Sequence, residues 1–178
     1  MNICWVGFHE VGLYSFKKLV EEGLKTSAFF TLNDEEYKKR SAGTRQYIDI
    51  CKNANIPIHY IRHINDDDSY QYMQSYNPDV IVVMGWSQIL NSRMLNCARI
   101  GVVGGHSSLL PHNRGSAPVN WAIIRNEKTT GITLMWLNEG VDEGKIISQI
   151  PFPIEFYDTC ESVYRKVSMF IYIQLREL

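Results

Sequence analysis

Apolar positions along this chain follow two alternating patterns, short unbroken runs and longer stretches spaced at three and four. "NICWVG", residues 2–7, is an apolar run ending in glycine, and apolar positions from Val11 to Val20 then recur at helical spacing. "TSAFFTL" (26–32) is rich in aromatic and β-branched side chains and predicts a second strand. A charged stretch runs through Arg40, then "SAGT" signals a loop, and Thr44 is placed to cap a helix containing Tyr47, Ile48, Ile50 and Cys51. "IPIHYI" (56–61) predicts a third strand, and a helix from about Ser69 to Tyr76 stops before Asn77-Pro78.

"DVIVVMG" (79–85) and "RIGVVGG" (99–105) are apolar at successive positions, as strands covered by helices on both sides must be. A helix follows Pro118 through "NWAIIRN". Two strand-like runs, "TGITLMWL" and "KIISQIPFPI", then come in succession, which predicts antiparallel pairing there. The last helix, about Thr159 to Leu178, is apolar at Val163, Val167, Phe170, Ile171 and Leu175, with Met169, Tyr172 and Ile173 widening the stripe. That width suggests packing on the sheet and on something more, such as a second copy in a homodimer. The chain ends inside this helix, which fits either a short protein or one cut at that point. The expectation is an α/β fold: a Rossmann-like, mainly parallel sheet with helices on both faces, mixed or antiparallel towards the C-terminal strands, forming a single domain over 1–178.

Composition removes several function classes. At 178 residues the chain is long enough for a real core, and 45% of it is apolar. The formal charge is −1, and the longest basic cluster, Lys38-Lys39-Arg40, follows Asp34-Glu35-Glu36. That is the pattern of a solvated helix face and argues against a nucleic-acid partner. Cys4, Cys51, Cys97 and Cys160 have no zinc or redox spacing and are expected to be reduced. With no signal-like start and no run long enough to span a bilayer, the expected place is the cytoplasm, away from membranes.

In open α/β sheets ligands bind beyond the carboxyl ends of the strands, and three segments fall there: "MGWSQIL", "GGHSSLLP" and "NEGVDEGK". His106 is the candidate acid, base or oxyanion donor, since imidazole titrates near neutrality; the competing reading is a structural histidine bonded to backbone. Asp142 is either an ordinary turn aspartate or the partner that keeps His106 cationic. Arg114-Gly115 fits an anion site or a surface turn, and His9 is placed to face the same cleft. His59, His63 and His112 read as surface or strand-end residues, and Trp86, Trp121 and Trp136 as core or cleft wall. "VGFHEVG" is neither a G-x-G-x-x-G nor a Walker A loop, no set of side chains has metal-ligand spacing, and no G-x-S-x-G elbow occurs.

"HSSLLPHNRGSAPVNWAI" followed by "TTGITLMWLNEGVDEGKII" resembles the folate-dependent formyltransferase family, whose hallmark is H-x-S-L-L-P and then an aspartate in a D-x-G turn; Asp142 lies 36 positions after His106, as the family spacing requires. The resemblance extends from residue 1 to about 155. It implies a Rossmann-like catalytic domain, 10-formyltetrahydrofolate as formyl donor and an amine acceptor that attacks the formyl carbon. The pterin is then expected between Gln88, Ile89 and Leu90 on one side and Leu137, Asn138, Glu139, Gly140 and Val141 on the other. Ser107, Arg114, Gly115, Pro118, Asn120 and His9 are expected on the acceptor side.

"RGSAPVNWAI" and "GWSQIL" look more like the branch that formylates nucleotide-linked amino sugars, in polysaccharide biosynthesis, than like the methionyl-tRNA branch, which carries an additional domain and basic surface. One departure stands out. The family reads N-x-H, and here the asparagine position is Gly104. The resemblance gives that asparagine the formyl oxygen to bind, and removing one such donor costs roughly a hundred- to a thousand-fold in rate. A substitute donor, a slow enzyme, or a catalytically silent folate- or nucleotide-sugar-binding module are the three consequences.

Overall fold

The computed structural model describes residues 1–178, and the apolar runs form seven strands. These are β1 (Ile3–Val6), β2 (Thr26–Leu32), β3 (Ile58–Ile61), β4 (Val80–Val83), β5 (Gly101–His106), β6 (Thr129–Trp136) and β7 (Lys145–Pro153). They join in one sheet of order β3-β2-β1-β4-β5-β6-β7. The first five pair in parallel, whereas β5–β6 and β6–β7 are antiparallel. This agrees with the mixed sheet expected from the sequence. The strand order reverses between β1 and β4, so the loops that leave them diverge and open a crevice at their carboxyl ends.

The helices are α1 (Glu10–Glu21), α2 (Asp34–Tyr37), α3 (Gln46–Asn53), α4 (Asp67–Ser75), α5 (Ser92–Leu95), α6 (Pro118–Ile124) and α7 (Cys160–Arg176). Neighbouring strand residues go to opposite faces, as the pleat requires. Val82 and Val103 join Phe16, Tyr47, Val119 and Val167 beneath α1, α3, α6 and α7, while Ile81 and Val102 join Met73 and Met94 beneath α4 and α5. Two faces, each needing cover, explain why β4 and β5 read as unbroken apolar runs.

Helix α7 starts with a reciprocal cap, Thr159 accepting from the Ser162 backbone N–H and Ser162 Oγ from the Thr159 N–H. Its apolar stripe is met within the chain: it lies on β6 and against both α1 and α6. The extra width therefore reflects α1 as a second neighbour, with Met169 left exposed. The cap position of α3 is Arg45, not Thr44 as expected, and it makes no side-chain cap bond; Thr44 stands one residue earlier, its Oγ1 accepting from Gln46 N–H at 3.2 Å. Helices α2 and α5 are single turns, too short to carry a helical period. Their starts are fixed by Asn33 and Asn91, whose side chains accept from the Glu36 and Met94 amides.

All four cysteines are free thiols. Burial pushes Cys4 and Cys51 up to about 12. No helix is long and apolar enough to cross a membrane, and no group of three or more His, Cys, Asp or Glu is placed to hold a metal ion.

Candidate active site

His106 is the last residue of β5, buried at the carboxyl end of the sheet. Opposite it on β6 stands Thr133, fully buried. The Thr133 hydroxyl donates to the Ser108 carbonyl (2.7 Å) and accepts from Leu110 N–H (3.1 Å) and the Gln149 amide (2.9 Å). A single buried hydroxyl thus ties down the loop that follows the histidine.

Asp142 comes from the turn between β6 and β7. Its Oδ1 lies 3.4 Å from His106 Nδ1, and its Oδ2 accepts from Gly115 N–H at 2.8 Å. The carboxylate is mostly enclosed, so each oxygen needs the partner it has. Asp142 has φ 53°, a left-handed conformation that aspartate tolerates better than β-branched residues. Two positions on, a Cβ on Gly144 would fall 1.9 Å from the Trp136 carbonyl, so only glycine lets the turn close.

The other ring nitrogen, His106 Nε2, lies 2.8 Å from the Asn113 carbonyl. Nδ1 therefore faces the Asp142 carboxylate, while Nε2 faces a neutral backbone carbonyl. Asn113 is held in turn: its amide donates to Glu127 (3.1 and 3.0 Å) and its oxygen accepts from Arg125 (2.7 Å). The structural-histidine reading and the functional one thus meet in one residue, which is bonded to backbone and also lines an opening.

That opening is a cavity of about 490 Å³, within the range of small-molecule sites. The three segments singled out in the sequence converge on it. Gln88, Ile89 and Leu90 lie on one side, with Leu137, Asn138, Gly140 and Val141 facing them and Gly104, His106, Ser107 and Asp142 between. His9, Gly115 and Pro118 line the remaining wall. Three expected residues lie off the lining. Glu139 takes a hydrogen bond from Ser92, Arg114 pairs with Glu143 at 3.7 Å, and exposed Asn120 accepts from the Tyr164 hydroxyl at 3.4 Å. The Gln88 side chain is tied down, its oxygen accepting from Ile64 N–H (2.8 Å) and its amide donating to the Arg62 carbonyl (3.0 Å).

The two glycines before the histidine serve different faces of the sheet. A Cβ on Gly105 would meet Met84 Sδ at 3.0 Å. One on Gly104 would fall 2.5 Å from a methyl of Leu137, so an apolar side chain fills the space where an asparagine would stand. Trp86 lines the cavity too, and its buried Nε1–H has no partner in the chain. Trp121, by contrast, is half exposed on α6 beneath the Arg125 guanidinium rather than in the core or the cleft wall. His59 is half-buried, stacked on Phe30 and bonded to the Tyr76 hydroxyl at 2.8 Å, not a surface group. His63 belongs to a second, polar hollow of about 810 Å³ with Arg40 and Arg62; it adjoins the cavity through Ser87, Gln88 and Ile89.

Two participants were not found from the sequence. Asn113, in "PHNRG", reads as a turn residue, and its backbone role leaves no mark on its side chain. Tyr164 projects from α7 into the cavity wall, its ring centroid 6.2 Å from that of His9. It follows core Val163 in an apolar helix and carries no signal of its own.

A family model described as "Formyl transferase" matches residues 22–175. Over 174 residues, 96% of this chain and 26% of the relative, the sequence is 32% identical to the bifunctional polymyxin resistance protein ArnA of Wigglesworthia glossinidia brevipalpis. Over 168 residues, 92% of this chain and 53% of the relative, it is 34% identical to methionyl-tRNA formyltransferase of Pelotomaculum thermopropionicum. The chain therefore spans about half the length of that relative and about a quarter of ArnA. The fold is that of phosphoribosylglycinamide formyltransferase from Bacillus halodurans, with TM-score 0.81 at 21% identity over 97% of this chain and 90% of that one. It is also that of WlaRD, a sugar 3N-formyl transferase solved in the presence of dTDP and 5-N-formyl-THF, with TM-score 0.72 at 17% identity over 99% of this chain and 61% of that one.

Proposed function

Because the chain belongs to the formyl transferase family, we propose that it transfers a formyl group from 10-formyltetrahydrofolate to the amine of a small acceptor, a nucleotide-linked amino sugar. The observation that carries this reading is the His106–Asp142 pair, 3.4 Å apart at the wall of a cavity of about 490 Å³.

The cavity suits the donor. Its sides offer the apolar side chains of Ile89, Leu90, Leu137 and Val141, and the unpartnered Trp86 N–H lies in its wall. The folate supplies an electrophilic formyl carbon when bound. His106 places positive charge where the formyl oxygen gains negative charge as the amine attacks. Asp142 holds the ring through Nδ1 and compensates its charge. For direct donation to that oxygen, Nε2 must give up the Asn113 carbonyl, which is a neutral acceptor and the weaker of its two holds. The proton shed by the amine leaves through water, and the bond from formyl carbon to the folate nitrogen breaks as that nitrogen is protonated.

Charge supports a small acceptor over tRNA. No Lys or Arg lines the cavity, and the chain as a whole carries −1. Neutralising several phosphates needs several well-placed cations. Purified protein incubated with 10-formyltetrahydrofolate and, in turn, nucleotide-linked amino sugars, glycinamide ribonucleotide and methionyl-tRNA should formylate an amino sugar fastest. Turnover confined to either other acceptor would overturn the assignment.

A second reading, a module that binds folate or nucleotide sugar without turnover, is favoured by Leu137 filling the space beside Gly104. Calorimetry with a stable folate analogue separates the two: binding with no turnover on any acceptor selects the module.

A further inference from the structure

We propose that His9 is a specificity-determining residue whose Nε2–H, fixed in direction, reads an uncharged oxygen of the acceptor, a hydroxyl of the amino sugar. This rests on the function proposed above and names what that site recognises.

His9 is the residue before α1, and its ring is built into the fold. Nδ1 accepts from Val11 N–H at 3.1 Å, capping the helix. A ring nitrogen that accepts carries no proton, so the neutral ring holds its proton on Nε2. Burial also holds this imidazole below its ordinary range, against a weaker upward pull from Glu10, which favours the neutral form. Nε2 has no hydrogen-bond partner in the chain, yet it is not sealed from solvent.

The backbone beneath the ring is equally fixed. The His9 carbonyl accepts from the buried Tyr47 hydroxyl at 2.9 Å, and its N–H donates to the Gly85 carbonyl at 3.3 Å. At Gly85, φ +64°, a Cβ would fall 2.8 Å from the His9 Cβ, so a glycine is required for the loops after β1 and β4 to pack this closely. This much constraint on one cavity-lining side chain is the mark of a preorganised donor. The Tyr164 ring lies beside it, 6.2 Å between centroids.

The chemistry of the wall selects the partner. A phosphate calls for guanidinium, ammonium or several backbone N–H groups. Apart from His106, the side-chain donors of this wall are a neutral imidazole and the hydroxyls of Ser107, Ser116 and Tyr164, with no Lys or Arg in the lining. Neutral donors match hydroxyl oxygens. The sugar end of the acceptor therefore enters, and its diphosphate stays outside.

His9→Asn tests this while keeping the fold, because asparagine is a preferred helix cap but is too short to present a donor where Nε2 does. The expected result is a rise of about three- to tenfold in KM for the amino-sugar acceptor, the size of one neutral hydrogen bond, with the KM for 10-formyltetrahydrofolate unchanged. An acceptor lacking the hydroxyl next to its amine should respond equally to wild type and variant. Nitrogen NMR of wild type at neutral pH should find the proton on His9 Nε2. The proposal is overturned by a proton on Nδ1, by equal penalties on both KM values, or by the same penalty with the deoxy acceptor. The parent reading fails differently, through absence of turnover with every amino sugar. In that case amino-sugar affinity with 5-formyltetrahydrofolate present decides for His9: weaker binding by the variant supports it, and equal or absent binding overturns it.

Discussion

The two walls of the cavity are built by different means. The wall proposed for the donor comes from segments attached to the strands on either side of β5, 85–90 after β4 and 137–142 after β6, and it presents the apolar side chains of Trp86, Ile89, Leu90, Leu137 and Val141. The wall proposed for the acceptor is gathered from His9 after β1, Gly115–Pro118 at the entry to α6 and Tyr164 within α7, and its polar side chains are those of His9, Ser116 and Tyr164. A wall of strand ends and tight turns is hard to vary without breaking the sheet. A wall of side chains from separate helices can change one residue at a time. Donor recognition is therefore expected to be robust to single side-chain changes and acceptor recognition to be sensitive to them.

Substitutions can break or sharpen that contrast. Asp142→Asn acts where the walls meet and should lower kcat about a hundredfold, because the neutral amide no longer compensates the imidazolium. Steady-state kinetics should show the loss with amino sugars of any structure. Gly104→Asn combined with Leu137→Val restores an amide beside His106 and relieves the 2.5 Å contact; it should raise kcat by about tenfold, part of what one oxyanion donor supplies. Unchanged kcat in a folded double variant would mean that another donor already serves.

Tyr164→Phe removes only a hydroxyl from the acceptor wall, and the acceptor KM should rise about threefold with the donor KM unchanged. A shift in donor KM instead would erase the contrast between the walls.

The smallest expected effect on activity comes from Asp158, which anchors the start of α7 and so the position of Tyr164. Its carboxylate is 2% exposed and takes hydrogen bonds from Lys166 (2.5 Å), Ser162 Oγ (2.6 Å) and Glu155 N–H (2.7 Å). The Lys166 and Ser162 side chains hold it down to about 2, against an ordinary value near 3.8. A depressed carboxyl stabilises the fold fully above its ordinary value, and that contribution is lost as pH falls from about 4 to 2. Asp158→Asn should therefore cost about 2 kcal/mol at pH 7 in denaturant unfolding, and the gap to wild type should close as the pH is lowered through that window.

The sheet was legible because β4 and β5 are buried on both faces and leave unbroken apolar runs. The antiparallel end was legible because two strand-like runs follow each other with no helical segment between. Helices α2 and α5 were not legible, being single turns set by an asparagine cap. The stripe on α7 suggested a second subunit because a sequence does not tell one neighbouring helix from another; α1 supplies that neighbour. That His106, Asp142 and the segments 88–90 and 137–141 converge on one cavity was legible from a motif, since they stand at strand ends and in one tight turn. Tyr164 was not, because a cavity-facing tyrosine beside core Val163 follows the same helical spacing as a core tyrosine. Leu137 was expected against the pterin, but its contact with Gly104 depends on how β5 and β6 pair.

The most direct test of the central claim is the rate of formyl transfer from 10-formyltetrahydrofolate by His106→Ala, measured beside its affinity for a stable folate analogue. The account predicts a loss in kcat of about a thousandfold with folate affinity preserved, since the donor wall does not depend on the imidazole. Equal turnover by wild type and variant would contradict it.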